Sequence, residues 1–124
     1  MKYYSINKHN KGFTLVEVMI AIVILTIGLL ALASVTVMVI KGNSLNKMMT
    51  TATTLANQQL ETLKNTSYNS VASSSEWSTV TGFSGYERRW QVTTSGNQKA
   101  IVMEVRWLWL GSYHQVTLNT IISS

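Results

Sequence analysis

The residues of this chain best placed to do chemistry lie in Lys11-Gly12-Phe13-Thr14-Leu15-Val16-Glu17, where a small residue, a bulky apolar residue and a carboxylate sit close together. No other charged residue follows Glu17 until Lys41. A carboxylate in such a run costs about 2.5–3.5 kcal/mol at a helix centre on insertion scales, and less near an end. It calls for a positive partner. Cutting the chain between Gly12 and Phe13 would supply one, because the new α-amino group on Phe13 is largely protonated near neutral pH. The pattern therefore reads as a peptidase site followed by a membrane helix that carries one acid.

Four segments must position these residues. Residues 1–12 are short, polar and basic, with Lys2, Lys8, Lys11 and no acid, and read as a leader to be removed. Residues 13–40 form an apolar helix. Its stretch Val18 to Ile40, about 23 residues or roughly 35 Å of helix, is enough to cross a bilayer core of about 30 Å. Basic residues before it place its start in the cytoplasm, and the chain beyond Lys41 outside. Residues 41–64 carry Leu45, Met48, Met49, Ala52, Leu55, Ala56, Gln59, Leu60 and Leu63 at three- and four-residue steps. That spacing predicts one face of an amphipathic helix, with Gly42-Asn43 as the weak joint before it.

Residues 65–124 open with a Ser/Thr/Asn-rich stretch through Thr81 that reads as loop. Three alternating runs follow: Tyr86 to Thr94, Lys99 to Leu110, and Tyr113 to Ile122. Ser95-Gly96-Asn97 and Gly111-Ser112 separate them, which predicts an antiparallel meander. Sixty residues alone bury a marginal core. The stripe of residues 41–64 is the natural partner for the sheet's apolar face. The expected class is α+β: a long N-terminal transmembrane-plus-amphipathic helix packed on a small antiparallel sheet.

Composition narrows the function classes. The net charge is +5, but three of those charges sit in residues 1–12, so the basic balance belongs mostly to the leader and no nucleic acid is expected as a partner. There is no cysteine, hence neither a disulfide framework nor a thiolate metal site. His9 and His114 lack acids or thiols at ligand spacing. No nucleophile–base set, phosphate loop or paired carboxylates appear, so no catalytic residue, cofactor or enzymatic activity is expected. Trp77, Trp90, Trp107 and Trp109 read as sheet packing in preference to a binding platform, and Arg88 and Arg89 fall on opposite strand faces.

A basic leader ending in Gly12, then Phe13-Thr14-Leu15-Val16-Glu17, then an unbroken apolar helix resembles the class III signal of type IV pilins and pseudopilins. The resemblance implies a prepilin peptidase cutting after Gly12, methylation of the new amino group on Phe13, and Glu17 neutralising the amino group of a neighbouring subunit during assembly. It implies a pilin-like fold, other pilin subunits as partners, and residence in the inner membrane before export into an extracellular filament. Thr53 to Asn65, Val105-Arg106-Trp107 and Val116-Thr117-Leu118 are similar to minor pilins of the PilV class and to the I-type minor pseudopilin of type II secretion. The lack of a C-terminal cysteine pair and of a helix proline separates the chain from major pilins. A single-pass, envelope-anchored binding protein is the alternative from another class.

An ordinary secretory signal is the rival processing scheme, since Ala31-Leu32-Ala33 precedes Ser34 with small residues in the required places. Glu17 and the apolar run Val35 to Ile40 oppose it. Mass spectrometry of the mature N-terminus decides between them. The expected result is a chain that starts at a methylated Phe13, and a start at Ser34 or an intact leader would refute it.

Overall fold

Leu15–Lys64 forms one 50-residue helix, α1. The computed structural model describes residues 1, 3 and 12–124. The leader expected over residues 1–12 therefore lies outside the described residues except at those positions. No proline interrupts α1, and helical structure continues through Gly42, the expected weak joint. Asn65 N–H closes the last turn on the Glu61 carbonyl at 3.0 Å, and Lys64 pairs with Glu61 where the helix dipole favours a cation. The chain divides into two compact units, Met1–Ile40 and Lys41–Ser124.

In the first unit the apolar side chains of α1 are exposed along its whole length, from Leu15 to Ile40. This part of α1 is long and apolar enough to cross a membrane. Its hydroxyls are satisfied within the helix: Thr26, Ser34 and Thr36 donate to the carbonyls of Ile22, Leu30 and Leu32 at 2.8–3.1 Å. That arrangement suits a segment with no water to bond to.

In the second unit the rest of α1 packs on a four-stranded antiparallel meander in the order β1-β2-β3-β4. The strands are β1 (Ser74–Val80), β2 (Phe83–Ser95), β3 (Gln98–Trp109) and β4 (Ser112–Ser123). Alternation along β3 sends Ile101, Met103, Val105 and Trp107 inward, where they are buried. They meet Ala52, Ala56, Leu60 and Leu63 of α1 in one core, with Val71 at its end. Of the expected stripe, Ala52, Leu55, Ala56, Leu60 and Leu63 are buried, Leu45, Met48 and Gln59 are half-buried, and Met49 is exposed. Two small alanines bring the helix close to the sheet, while Leu60 and Leu63 fill the space beside them.

Two tight hairpins fix the register. Ser95 pairs with Gln98 across Gly96-Asn97, with Gly96 at φ +58°, the glycine-first pattern of a type II′ turn. Trp109 pairs with Ser112 across Leu110-Gly111, with φ +49° and +78°, as a type I′ turn requires. Asn-Gly is the favoured pair there, so Leu110 occupies a conformation that costs it energy.

The expected loop over residues 65–81 is corrected by the structure. It holds a 3-10 turn, Tyr68–Ser70, and the whole of β1. β1 is mostly Ser and Thr, and its pairing with β2 shifts register twice, between Ser74 and Ser78 and between Thr79 and Val80. Side chains replace part of the missing ladder. Ser73 Oγ accepts from the Val92 N–H at 2.7 Å, and Trp90 Nε1 donates to the Ala72 carbonyl at 2.9 Å.

Leu60 is 5% exposed inside this core. Leu60→Ala in a fragment beginning at Lys41 should lose about 2–5 kcal/mol of stability, the range for truncation in a packed core. Thermal or denaturant unfolding measures it. An unchanged transition would mean that this face is not held against the sheet.

Candidate functional site

The first turn of α1 shows where the Glu17 carboxylate goes. The Thr14 N–H donates to Glu17 Oε2 at 3.0 Å, and the Glu17 N–H donates to Thr14 Oγ1 at 3.2 Å. This reciprocal pair is a capping box, with Thr14 as N-cap and Glu17 three residues into the helix. It satisfies two backbone donors at the end of a segment that has little else to offer them. The carboxylate also sits at the positive end of the helix dipole.

Gly12, Phe13 and Glu17 are all exposed, Phe13 at 88%. Nothing lies within 4 Å of where a Cβ on Gly12 would stand. The fold therefore does not demand glycine at position 12, and any requirement for a small residue there comes from whatever acts on the chain. Phe13 and Glu17 line one groove of about 530 Å³ with Val18, Ala21, Ile22 and Leu25, which runs down a single face of the helix. An amino group formed on Phe13 would stand one residue from the N–H that the Glu17 carboxylate already holds.

Sequence reasoning singled out Glu17 and missed Thr14. The signal was present as Thr-x-x-Glu directly before an apolar run, a capping-box signature. It also missed Lys99, which donates to the carbonyls of Tyr68 and Val71 at 2.6 and 3.0 Å and stands 4.6 Å over the Tyr68 ring. Lys99 thereby ties the segment after α1 to the start of β3.

The second unit carries two further polar features. On the sheet face away from α1, Arg89 pairs with Glu104, and Arg106 with Glu87, in adjacent cross-strand positions. Both guanidinium groups also cover the Trp77 ring, at 4.5 and 4.1 Å. Arg88 falls on the opposite face, as alternation predicts, and lines an open groove of about 380 Å³ with Gln58, Gln59, Thr62 and Phe83. Among the described residues no three His, Cys, Asp or Glu side chains cluster as a metal site would need.

Residues 7–33 match the family model described as the prokaryotic N-terminal methylation motif. The match takes in Gly12, Phe13, Thr14 and Glu17 and ends inside the apolar part of α1. No curated protein and no solved structure matches the chain.

Thr14→Val keeps the β-branched shape and removes the acceptor for the Glu17 N–H. Loss of an N-cap of this kind costs about 0.5–2 kcal/mol. In bilayer-reconstituted protein the Glu17 amide should exchange its hydrogen faster than in the parent chain. Equal exchange would mean that the capping box does not hold the first turn.

Proposed function

We propose that the chain is a structural subunit of a type IV pilus or a related secretion filament, anchored and assembled through α1. In this reading Gly12 and Phe13 are the processing residues. A prepilin peptidase cuts between them, and the new amino group on Phe13 is methylated. The subunit waits in the inner membrane with residues 41–124 on the outer side. It then leaves the bilayer for a filament in which the apolar face of α1 packs against the helices of other pilin subunits. The observation that carries the reading is the methylation motif over residues 7–33, together with the carboxylate held in the first turn of an uncovered apolar helix.

Glu17 is the assembly residue of this mechanism. Among the described residues Oε1 has no hydrogen-bond partner, so it can meet the amino group of an incoming subunit while Oε2 stays on the Thr14 N–H. Two unit charges at 4 Å interact by about 4 kcal/mol at an effective dielectric near 20, and desolvation offsets part of that. The pair thus sets the register between helices more than it sets the strength of their association. Strength comes from covering the exposed side chains of Leu15 to Ile40.

Within the filament we assign the chain the rank of a minor pilin. The absence of cysteine and the likeness of Thr53 to Asn65 to PilV-class minor pilins support this rank. So does the sheet's outer face, whose charges are already paired among themselves and leave little for repeated lateral contacts.

Glu17→Gln tests charge apart from capping, because an amide oxygen still accepts from the Thr14 N–H. Glu17→Val removes both. Both variants should insert in the membrane at least as well as the parent, and both should be depleted from sheared filaments by quantitative mass spectrometry. Wild-type incorporation of Glu17→Gln would sink the charge-docking mechanism. Recovery of the parent chain only as an uncut membrane monomer would favour the envelope-anchored binding protein.

A further inference from the structure

Within the second unit, two cations stand on the sheet face that meets α1, Lys99 and Arg88. A charge on such a face is costly unless it is answered. Lys99 is answered, since its Nζ donates to the carbonyls of Tyr68 and Val71. Arg88 is half-buried and has no ion-pair partner among the described residues. Its own unit has little to offer it. Of the acids in residues 41–124, Glu61 pairs with Lys64, Glu104 with Arg89 and Glu87 with Arg106. Glu76 is the remaining acid, and it does not line the groove into which Arg88 opens. A carboxylate for Arg88 has to come from outside.

That groove has a volume of about 380 Å³ and lies between α1 and the β1–β2 turn. Its size falls at the small end of ligand pockets, roughly 300–1,000 Å³. Gln58, Gln59, Thr62 and Thr81 supply amides and hydroxyls to its lining. The Thr62 hydroxyl donates to the Gln58 backbone carbonyl at 3.0 Å, so its oxygen is left as an acceptor. The glutamine side-chain carbonyls accept as well. A ligand that answers this lining brings an anion for the guanidinium and O–H donors for the acceptors. An Asp or Glu side chain brings the first without the second. A neutral sugar brings the second without the first. A sugar acid brings both. Phe83, 43% exposed, adds a flat apolar ring against which the C–H face of a sugar can lie.

We infer that this groove binds a hexuronic acid residue of an acidic saccharide. Arg88 takes the carboxylate in a bidentate fork, Gln58, Gln59 and Thr62 take ring hydroxyls, and Phe83 stacks on the sugar. The site lies wholly within the second unit and stands whether or not α1 is a membrane anchor.

Trigalacturonate is titrated into the full chain held in phosphatidylcholine nanodiscs, with its methyl ester and hexaglutamate as comparison probes. Binding is read from saturation transfer to the probe and from the Arg88 Nε–Hε signal of nitrogen-15-labelled protein. Trigalacturonate should move that signal and show saturation on its ring protons. The ester, which has the same shape without the charge, should bind about tenfold or more weakly. Arg88→Gln should bring trigalacturonate down to the level of the ester. Arg88→Lys keeps the charge without the fork and should fall between the two. Phe83→Ala should weaken the saturation of the ring protons. The Arg88 signal of the parent chain reads the contact without any variant. An Arg88 signal that trigalacturonate leaves in place would overturn the inference, and so would equal binding of the ester. Hexaglutamate binding as tightly as trigalacturonate would assign the groove to an acidic peptide and overturn the saccharide.

Discussion

A helix whose every face is apolar from Leu15 to Ile40 has no stable place in water. Soluble monomers rarely expose an apolar patch beyond a few hundred Å², and this segment exposes one on all sides. It must be covered, by lipid or by other helices, and the two covers impose the same local rules. Backbone groups have to be satisfied within the segment, which favours an unbroken helix without proline. Hydroxyls have to turn inward, as Thr26, Ser34 and Thr36 do. The first turn has to be capped from its own residues, as Thr14 and Glu17 do. The same internal bonding suits the segment whichever of the two covers it.

The capping box also changes what Glu17 costs. An acid in an apolar run would ordinarily need an external cation before it could be tolerated. Here one carboxylate oxygen is held by the Thr14 N–H, and the helix dipole adds a favourable field. The other oxygen has no hydrogen-bond partner among the described residues. Local capping thus lowers the cost of the acid within the single chain.

How far the sequence discloses this depends on which force shapes each part. β2, β3 and β4 are legible because one face of the sheet is buried against α1, so burial imposes strict alternation from Ile101 to Trp107. The stripe of α1 is legible for the same reason, except at Met49, which lies at the margin of the buried face and projects outward. β1 is not legible. It is a polar edge strand, its pairing is interrupted twice, and Ser73 and Trp90 side chains carry bonds that a regular ladder would assign to backbone. Composition alone cannot separate such a strand from a loop. At the candidate site, Gly12, Phe13 and Glu17 stand out because a lone acid and a small residue beside an apolar run are costly choices. Thr14 escapes notice because threonine before a helix is common, and its role appears only once the bond to Glu17 is seen.

The two units then answer different demands. The first leaves its side chains unpaired so that any apolar cover will serve. In the second, the helix stripe fills the sheet's inner face, and on the outer face Arg89 and Arg106 are matched by Glu104 and Glu87 over a shared Trp77, while the buried Tyr68 Oη and Trp107 Nε1 have no hydrogen-bond partner among the described residues. Arg88 lines an open groove without an ion-pair partner among the described residues, and the β3–β4 turn displays leucine where its backbone would prefer asparagine or glycine. Neither the core nor the paired charges of the outer face account for these two choices.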